Sequence, residues 1–141
     1  MKDCLLDFDF QSSTPCSQEV LDAMLPFWLE NWGNPSSRQN RLGLLASAAI
    51  SVAREELASL LKVKQERIIF TSGATEANNL ALIGHAHNSL QKKGLPGHLI
   101  TLATEHHAVL DPLRQLKNEG FRLTELRPDS QGIISLNRLE E

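Results

Sequence analysis

The distribution of apolar residues in this chain predicts an α/β fold, a parallel sheet flanked by helices. Short apolar runs at residues 68–70, 99–102 and 121–126 alternate with longer segments whose apolar residues recur at three- and four-residue steps. Glycines stand where the helices between those runs should stop, at Gly94 and Gly120. Strands that alternate with helices of this length imply crossover connections, hence parallel pairing with helices on both faces of the sheet.

In chain order, residues 5–10 form the first strand candidate. Thr14-Pro15 reads as a helix start, the hydroxyl as N-cap and the proline at the first helical position. That helix runs toward Trp32 and is kinked or divided at Pro26. Trp28 and Trp32, four apart, suit helix packing or a subunit contact. Gly33-Asn34-Pro35-Ser36-Ser37 is a loop by composition. The clearest helix spans residues 38–61, where Leu42, Leu45, Ala46, Ala49, Val52, Ala53, Leu57 and Leu60 make one stripe that should face a core. Strand 68–70 leads to helix 75–92, strand 99–102 to helix 107–119, and strand 121–126 through Asp129-Ser130-Gln131-Gly132, a turn by residue type, to Ile133-Ile134. Ser135 is placed as the N-cap of a final helix start over residues 136–141. Three parallel strands followed by a helix start make a poor stopping point, so the expectation is the front part of a larger α/β architecture with exposed apolar surface and a tendency to associate.

Composition narrows the partners. The chain has 141 residues, 41% hydrophobic and 22% charged, with a formal charge of -3, as expected of one ordinary globular domain. Fourteen Lys and Arg are scattered against seventeen Asp and Glu, which leaves no basic footprint for nucleic acid. Neither a long apolar span nor a basic-then-apolar leader is present, which predicts no membrane insertion and a cytoplasmic location. Cys4 and Cys16 form no Cys-x-x-Cys pair and read as free thiols.

The chemistry concentrates in two places. At Thr71-Ser72-Gly73-Ala74-Thr75-Glu76 an apolar run ends in a glycine turn and opens into a helix. The first-turn amides of such a helix point at whatever anion sits there, Gly73 lets the backbone approach a ligand, and a phosphate is the natural guest. A tight strand-to-helix connection with a capping role accounts for the same residues. No Gly-Lys-Ser or Gly-Lys-Thr follows and the three-glycine dinucleotide pattern is absent, against a nucleotide or NAD. The second place is Thr104-Glu105-His106-His107, after the next strand. His106 suits either helix capping or work beside a phosphate-bearing cofactor, where its flat ring can stack and its titration can move a proton. Adjacent histidines at a helix start face different ways and no further ligand stands at metal spacing, which argues against a metal. His85, His87 and His98 read as structural.

Thr71-Ser72-Gly73-Ala74-Thr75-Glu76-Ala77-Asn78-Asn79-Leu80-Ala81, followed by Thr104-Glu105-His106-His107-Ala108-Val109-Leu110, closely resembles the cysteine desulfurases of the class V aminotransferase family. Thr14-Pro15, the loop at 33–37 and Gly132-Ile133-Ile134 fall in matching places, so the resemblance runs along essentially the whole chain. It implies an incomplete large domain of the fold-type I pyridoxal phosphate (PLP) enzymes, with residues 1–15 as an N-terminal arm and 16–141 as the first part of the cofactor-binding domain. By the same match Gly73, Ala74 and Thr75 hold the PLP phosphate through backbone amides and a hydroxyl, and His106 stacks on the pyridine ring and shares in proton transfer. The implied reaction takes sulfur from L-cysteine onto an enzyme cysteine, leaving alanine, for iron-sulfur cluster or thio-cofactor assembly. A homodimer and sulfur-acceptor proteins are the implied partners, and Asn34 with its neighbouring serines is implied to lie near the active-site entrance and the dimer contact.

Two positions depart from the family pattern: Asp9-Phe10-Gln11-Ser12-Ser13-Thr14-Pro15 in the N-terminal motif, and Asn40 where a histidine precedes the glycine of the long helix. The family's cofactor-binding lysine, the aspartate beside the ring nitrogen, the sulfur-accepting cysteine and the carboxylate-binding arginine match nothing here. Lys62, Lys64, Lys92, Lys93 and Lys117 all lack a Ser-x-His-Lys context, and Cys4 and Cys16 stand at the opposite end. The expectation is a chain that does not turn over cysteine by itself. Two other readings stand beside it: a non-catalytic remnant serving as an interaction module, and part of a related class V enzyme acting on selenocysteine or another amino donor.

Overall fold

Helix ends, more than helix interiors, set the element boundaries in the computed structural model, which describes residues 9–140 and divides the chain into one unit ending at Ile69 and another beginning at Phe70. The strand expected over residues 5–10 falls mostly outside the described residues, and residues 9 and 10 are loop and turn.

In the first unit, helix α1 covers Gln18–Leu29, three residues later than Thr14-Pro15 suggested. The cap is Ser17, whose hydroxyl accepts from the Val20 amide at 3.4 Å, with Glu19 favourably placed in the first turn. Pro26 lies inside α1, and its carbonyl accepts from both the Glu30 and Asn31 amides, closing the helix short of Trp32. The side chains of Val20, Met24, Phe27 and Trp28 are exposed, and Trp28 and Trp32 remain 66% and 68% accessible, so neither tryptophan is packed as a core residue.

Helix α2 (Arg41–Leu61) begins when the Asn40 side chain accepts from the Gly43 amide at 2.7 Å. The loop at 33–37 is folded by Asn34, whose side chain accepts from Ser36 and whose carbonyl accepts from Ser37, both at 2.9 Å. Its backbone then rests directly on the first turn of α2. A Cβ on Gly33 would stand 2.2 Å from the Leu42 carbonyl oxygen, and one on Gly43 would stand 2.1 Å from that of Ser37. Two glycines therefore permit the approach. Of the stripe expected to face a core only Ala46 is buried, with Leu42 and Ala49 half-buried, whereas Leu45, Val52, Ala53, Leu57 and Leu60 are exposed; the other buried positions of α2 are Gly43 and Ala58. Lys62 ends α2 in the left-handed region, followed by a 3-10 turn over Gln65–Arg67.

In the second unit, helix α3 (Ala74–Lys93) stops at Gly94, strand β1 (His98–Leu102) follows, then helix α4 (His107–Asn118) and strand β2 (Arg122–Leu126). The two strands pair in parallel, from His98 opposite Arg122 to Leu102 opposite Leu126. Residues 68–70 are not a strand; a ladder exists only where a partner completes it, and among the described residues the sheet is β1–β2 alone.

Gly120 breaks α4 by taking a φ of 100°. Its amide donates to Lys117 and that of Phe121 to Leu116, the paired bonds of a Schellman ending. The ending delivers Phe121 into the core beside Leu116, Leu113 and Ala86, all nearly inaccessible, with Leu82, Ile83, Leu90, Leu99, Val109 and Leu123 around them. Pleating puts Leu99 and Leu123 on this covered face, while His98, Ile100, Thr124 and Leu126 line a hollow of about 440 Å³ on the other with Leu139 of α5 (Leu136–Glu140). Cover by long helices is thus met on one face, where Arg114 of α4 also grips Glu125 of β2 through paired bonds of 3.3 and 3.2 Å. His87 bridges α3 to Glu119 at 2.6 Å and His98 touches Thr124 across the ladder at 2.8 Å.

Two helical glycines should respond oppositely to alanine. Gly43→Ala, with backbone at 2.1 Å, should destabilise the chain by roughly 1–3 kcal/mol through overpacking. Gly84→Ala, which meets nothing within 4 Å in α3, should stabilise it by about 0.5–1 kcal/mol. Urea unfolding of both variants checks the signs.

Candidate functional site

Helix α3 cannot satisfy its own first amides. Ala77 donates to Gly73 at 3.1 Å, so the amides of residues 73–76 have no carbonyl one turn back. The turn before them is held locally. The Thr71 hydroxyl donates to the Gly73 carbonyl at 3.2 Å, and the Ser72 amide and hydroxyl both donate to Oε2 of Glu76, at 2.6 and 2.7 Å. Gly73 is extended, and a Cβ built there meets nothing within 4 Å, so its outer side is open to a ligand. The Asn79 side chain holds the Thr75 carbonyl at 2.8 Å, while the Thr75 hydroxyl takes no partner among the described residues.

His106 is the N-cap of α4. Its Nδ1 accepts from the Ala108 amide at 3.0 Å, which satisfies one of that helix's open donors. A neutral imidazole with Nδ1 as acceptor carries its proton on Nε2, so the outward nitrogen is a donor. The capping bond engages one ring nitrogen and makes no use of the other. The His106 and His107 rings stand edge to face at 6.4 Å, and among the described residues no group of His, Cys, Asp or Glu is placed to hold a metal.

Thr75 and His106 line one hollow of about 360 Å³, at the lower end of the range for small-molecule sites. Gly73 and Ala74 adjoin Thr75 along the chain without lining that hollow. Asn79, His107, Asp111 and Gln115 supply further polar groups. Pro112, also in the wall, withholds the N–H that the Ala108 carbonyl would otherwise accept. Sequence reasoning gave no site role to Asn79, Asp111, Pro112 or Gln115; the three- and four-residue steps from Thr75 to Asn79, from Ala108 to Asp111 and Pro112, and from Asp111 to Gln115 were the available signal. The open amides and hydroxyl at Thr75 have the chemistry a phosphate requires, and the ring of His106 has that of a stacking surface. Cys16 is an exposed thiol remote in sequence from these groups, and Cys4 lies outside the described residues.

The Ser72 hydroxyl, and then the Ser72 amide, hold the Glu76 carboxyl below its ordinary 4.5. Because the folded value is depressed, the stabilisation is present above the unfolded pKa and is lost as pH falls through the folded one. Glu119, through His87 first, and Glu125, through Arg114 first, shift in the same direction.

Acid denaturation monitored below about pH 4.5 should therefore be shallower in Glu76→Gln than in the unmodified chain, one proton having been removed from the linkage. In the neutral form of His106 the imidazole ¹⁵N shifts should report an unprotonated Nδ1 and a protonated Nε2; the opposite tautomer would contradict the cap. His106→Ala should cost about 0.5–2 kcal/mol in urea unfolding, most of it recovered by His106→Ser, whose hydroxyl can cap in its place.

Comparison with known proteins places these residues in context. A sequence profile described as Aminotransferase class-V matches residues 7–141. A cysteine desulfurase IscS of Serratia proteamaculans is 48% identical over 134 residues, covering 94% of this chain and 32% of the relative. One of Shewanella amazonensis is 47% identical over 135 residues, with 94% and 33% covered. A mitosomal cysteine desulfurase of Encephalitozoon cuniculi is 46% identical over 133 residues, with 94% and 31% covered. Among solved structures, a NifS-like protein superposes with a TM-score of 0.81 at 33% identity, over 94% of this chain and 35% of the other. Another, SspA in complex with cysteine, gives 0.79 at 40%, over 94% and 37%. The chain spans about a third of the length of the curated relatives it matches.

Proposed function

The chain belongs to the class V aminotransferase family, and on that premise we propose that it forms the front part of a PLP-dependent cysteine desulfurase, binding the cofactor without completing the reaction alone. The observation that carries this reading is the meeting of Thr75 and His106 in one hollow, each with a free-facing group of the required kind. In this reading residues 1–15 are the N-terminal arm and residues 16–141 the beginning of the cofactor-binding domain.

When bound, PLP supplies an electron sink for bonds at the α-carbon of an amino acid. The chain's own residues bind and orient. Amides of the first turn of α3, at Gly73, Ala74 and Thr75, take the phosphate with the Thr75 hydroxyl, aided by the positive end of the helix. His106 presents its ring face and its Nε2–H, fixed in direction because Nδ1 is committed to Ala108. With Nε2 protonated, the one basic lone pair of the neutral ring is the Nδ1 pair that caps the helix, so His106 must release that cap to accept a proton and in the capped state acts as donor or stacking surface. No lysine of this chain has the family's Ser-x-His-Lys context, which supports non-covalent capture only. L-cysteine is the proposed substrate of the completed enzyme, one structural neighbour being a complex with cysteine, with sulfur-acceptor proteins and a second copy as proposed partners and the cytoplasm as proposed location. No helix among the described residues is long and apolar enough to cross a membrane.

A second reading, an interaction module without catalysis, draws support from the exposed apolar side chains of α1, including Trp28.

Titration of PLP into the purified chain, followed by absorbance and by competition with inorganic phosphate, decides between them. Saturable binding that weakens about tenfold in Thr75→Ala and His106→Ala, with no alanine or sulfide released from cysteine, is expected. Turnover by the chain alone would overturn the incomplete-enzyme reading; absence of saturable binding would favour the interaction module.

A further inference from the structure

Glu76 accepts two hydrogen bonds from Ser72 in the turn before α3. It is the third residue of α3, where a glutamate ordinarily reaches back to the amide of the N-cap residue. Here it reaches one residue farther. Both bonds that Ser72 donates fall on Glu76 Oε2, and Gly73, the N-cap residue, keeps its own amide out of that exchange. A helix start with a negative side chain usually spends that charge on its own open donors. In α3 the carboxylate is spent on the residue before them.

We propose that Glu76 is a positioning residue for the phosphate: by fastening Ser72 through two hydrogen bonds it shapes the 72–73 turn and leaves the amides of residues 73–76 for the ligand. This rests on the cofactor reading above. Its geometry is specific. With Ser72 tied to Glu76 and Thr71 tied to the Gly73 carbonyl, both residues ahead of the helix are fixed from the side chain, without using a first-turn amide. The same carbonyl of Gly73 still receives Ala77, so the helix begins in register. The lowered pKa of Glu76 agrees with a carboxylate held by donors rather than one waiting for a cation. The negative charge itself opposes an anionic ligand nearby, so what the site gains from Glu76 is its acceptor oxygen and not its charge. That separates two predictions that a plain capping role would merge.

The test uses the full chain and 4′-deoxypyridoxine 5′-phosphate, which keeps the ring and phosphate but has no aldehyde to react with surface lysines, with the phosphate-free compound as control. Affinity is measured by equilibrium dialysis and Ser72 amide exchange by NMR. Glu76→Ala should weaken phosphate-dependent binding about tenfold and speed Ser72 exchange by about the same factor, whereas Glu76→Gln, which keeps an acceptor oxygen, should stay within about threefold of the unmodified chain on both. Should Glu76→Ala lose helix content, Ser72→Ala is measured instead; it removes one of the two bonds and should weaken binding about threefold. Binding indifferent to Glu76→Ala overturns the proposal alone. Glu76→Gln falling with Glu76→Ala while Ser72 stays protected overturns it too, since charge would then be the operative property. No binding by the unmodified chain, with Ser72 protected, instead overturns the cofactor reading and reduces Glu76 to a helix cap.

Discussion

An α-helix leaves its first four amides without partners, and most of what is specific about this chain follows from how it answers that constraint. At α1 a serine hydroxyl takes one amide, and at α2 the Asn40 side chain takes another. At α4 the answer is an imidazole, which binds the helix with one nitrogen and turns the other outward. At α3 no side chain caps the first turn. The difference between α3 and its neighbours is what the proposed binding site rests on, because unsatisfied donors at the positive end of a helix attract an anion.

The opposite ends of the helices explain the packing. The left-handed Gly120 reverses the chain at the end of α4 and sets Phe121 against Leu116, so one turn both ends the helix and seeds the core. That ending also delivers β2 beside β1. In the other unit the approach of loop 33–37 to α2 replaces side-chain packing with backbone contact, which only Gly33 and Gly43 permit.

How far the sequence foretold this depends on whether the signal was local. Gly94 and Gly120 as helix stops, the turn at Asp129 and the alternation of β1, α4 and β2 were legible, because glycine conformation and apolar periodicity act over a few residues. Residues 68–70 looked equally strand-like and are not a strand, since a ladder is a property of two segments and the second is missing from the described chain. Thr14-Pro15 offered good start chemistry, yet Ser17 won by reaching the Val20 amide. At the site, Gly73, Thr75 and His106 stood out through residue type. Glu76 did not, because its role lies in which amide it leaves alone.

His106 and Glu76 share a property that bears on any loss-of-function result at this site. Each is engaged with its own helix through a short-range hydrogen bond while standing next to the groups that would meet a cofactor. Removing either side chain therefore disturbs a helix start and a binding surface together, and loss of binding alone cannot tell the two apart. The chemistry of the replacements can. A hydroxyl at position 106 can cap but offers no ring, and an amide at position 76 can accept but carries no charge. The first separates fold from stacking and the second separates acceptor from charge, so each residue's two duties answer to different substitutions. A helix start built this way would tie the proposed cofactor capture to local folding: whatever loosens the first turn of α3 also disperses the donors that would hold a phosphate.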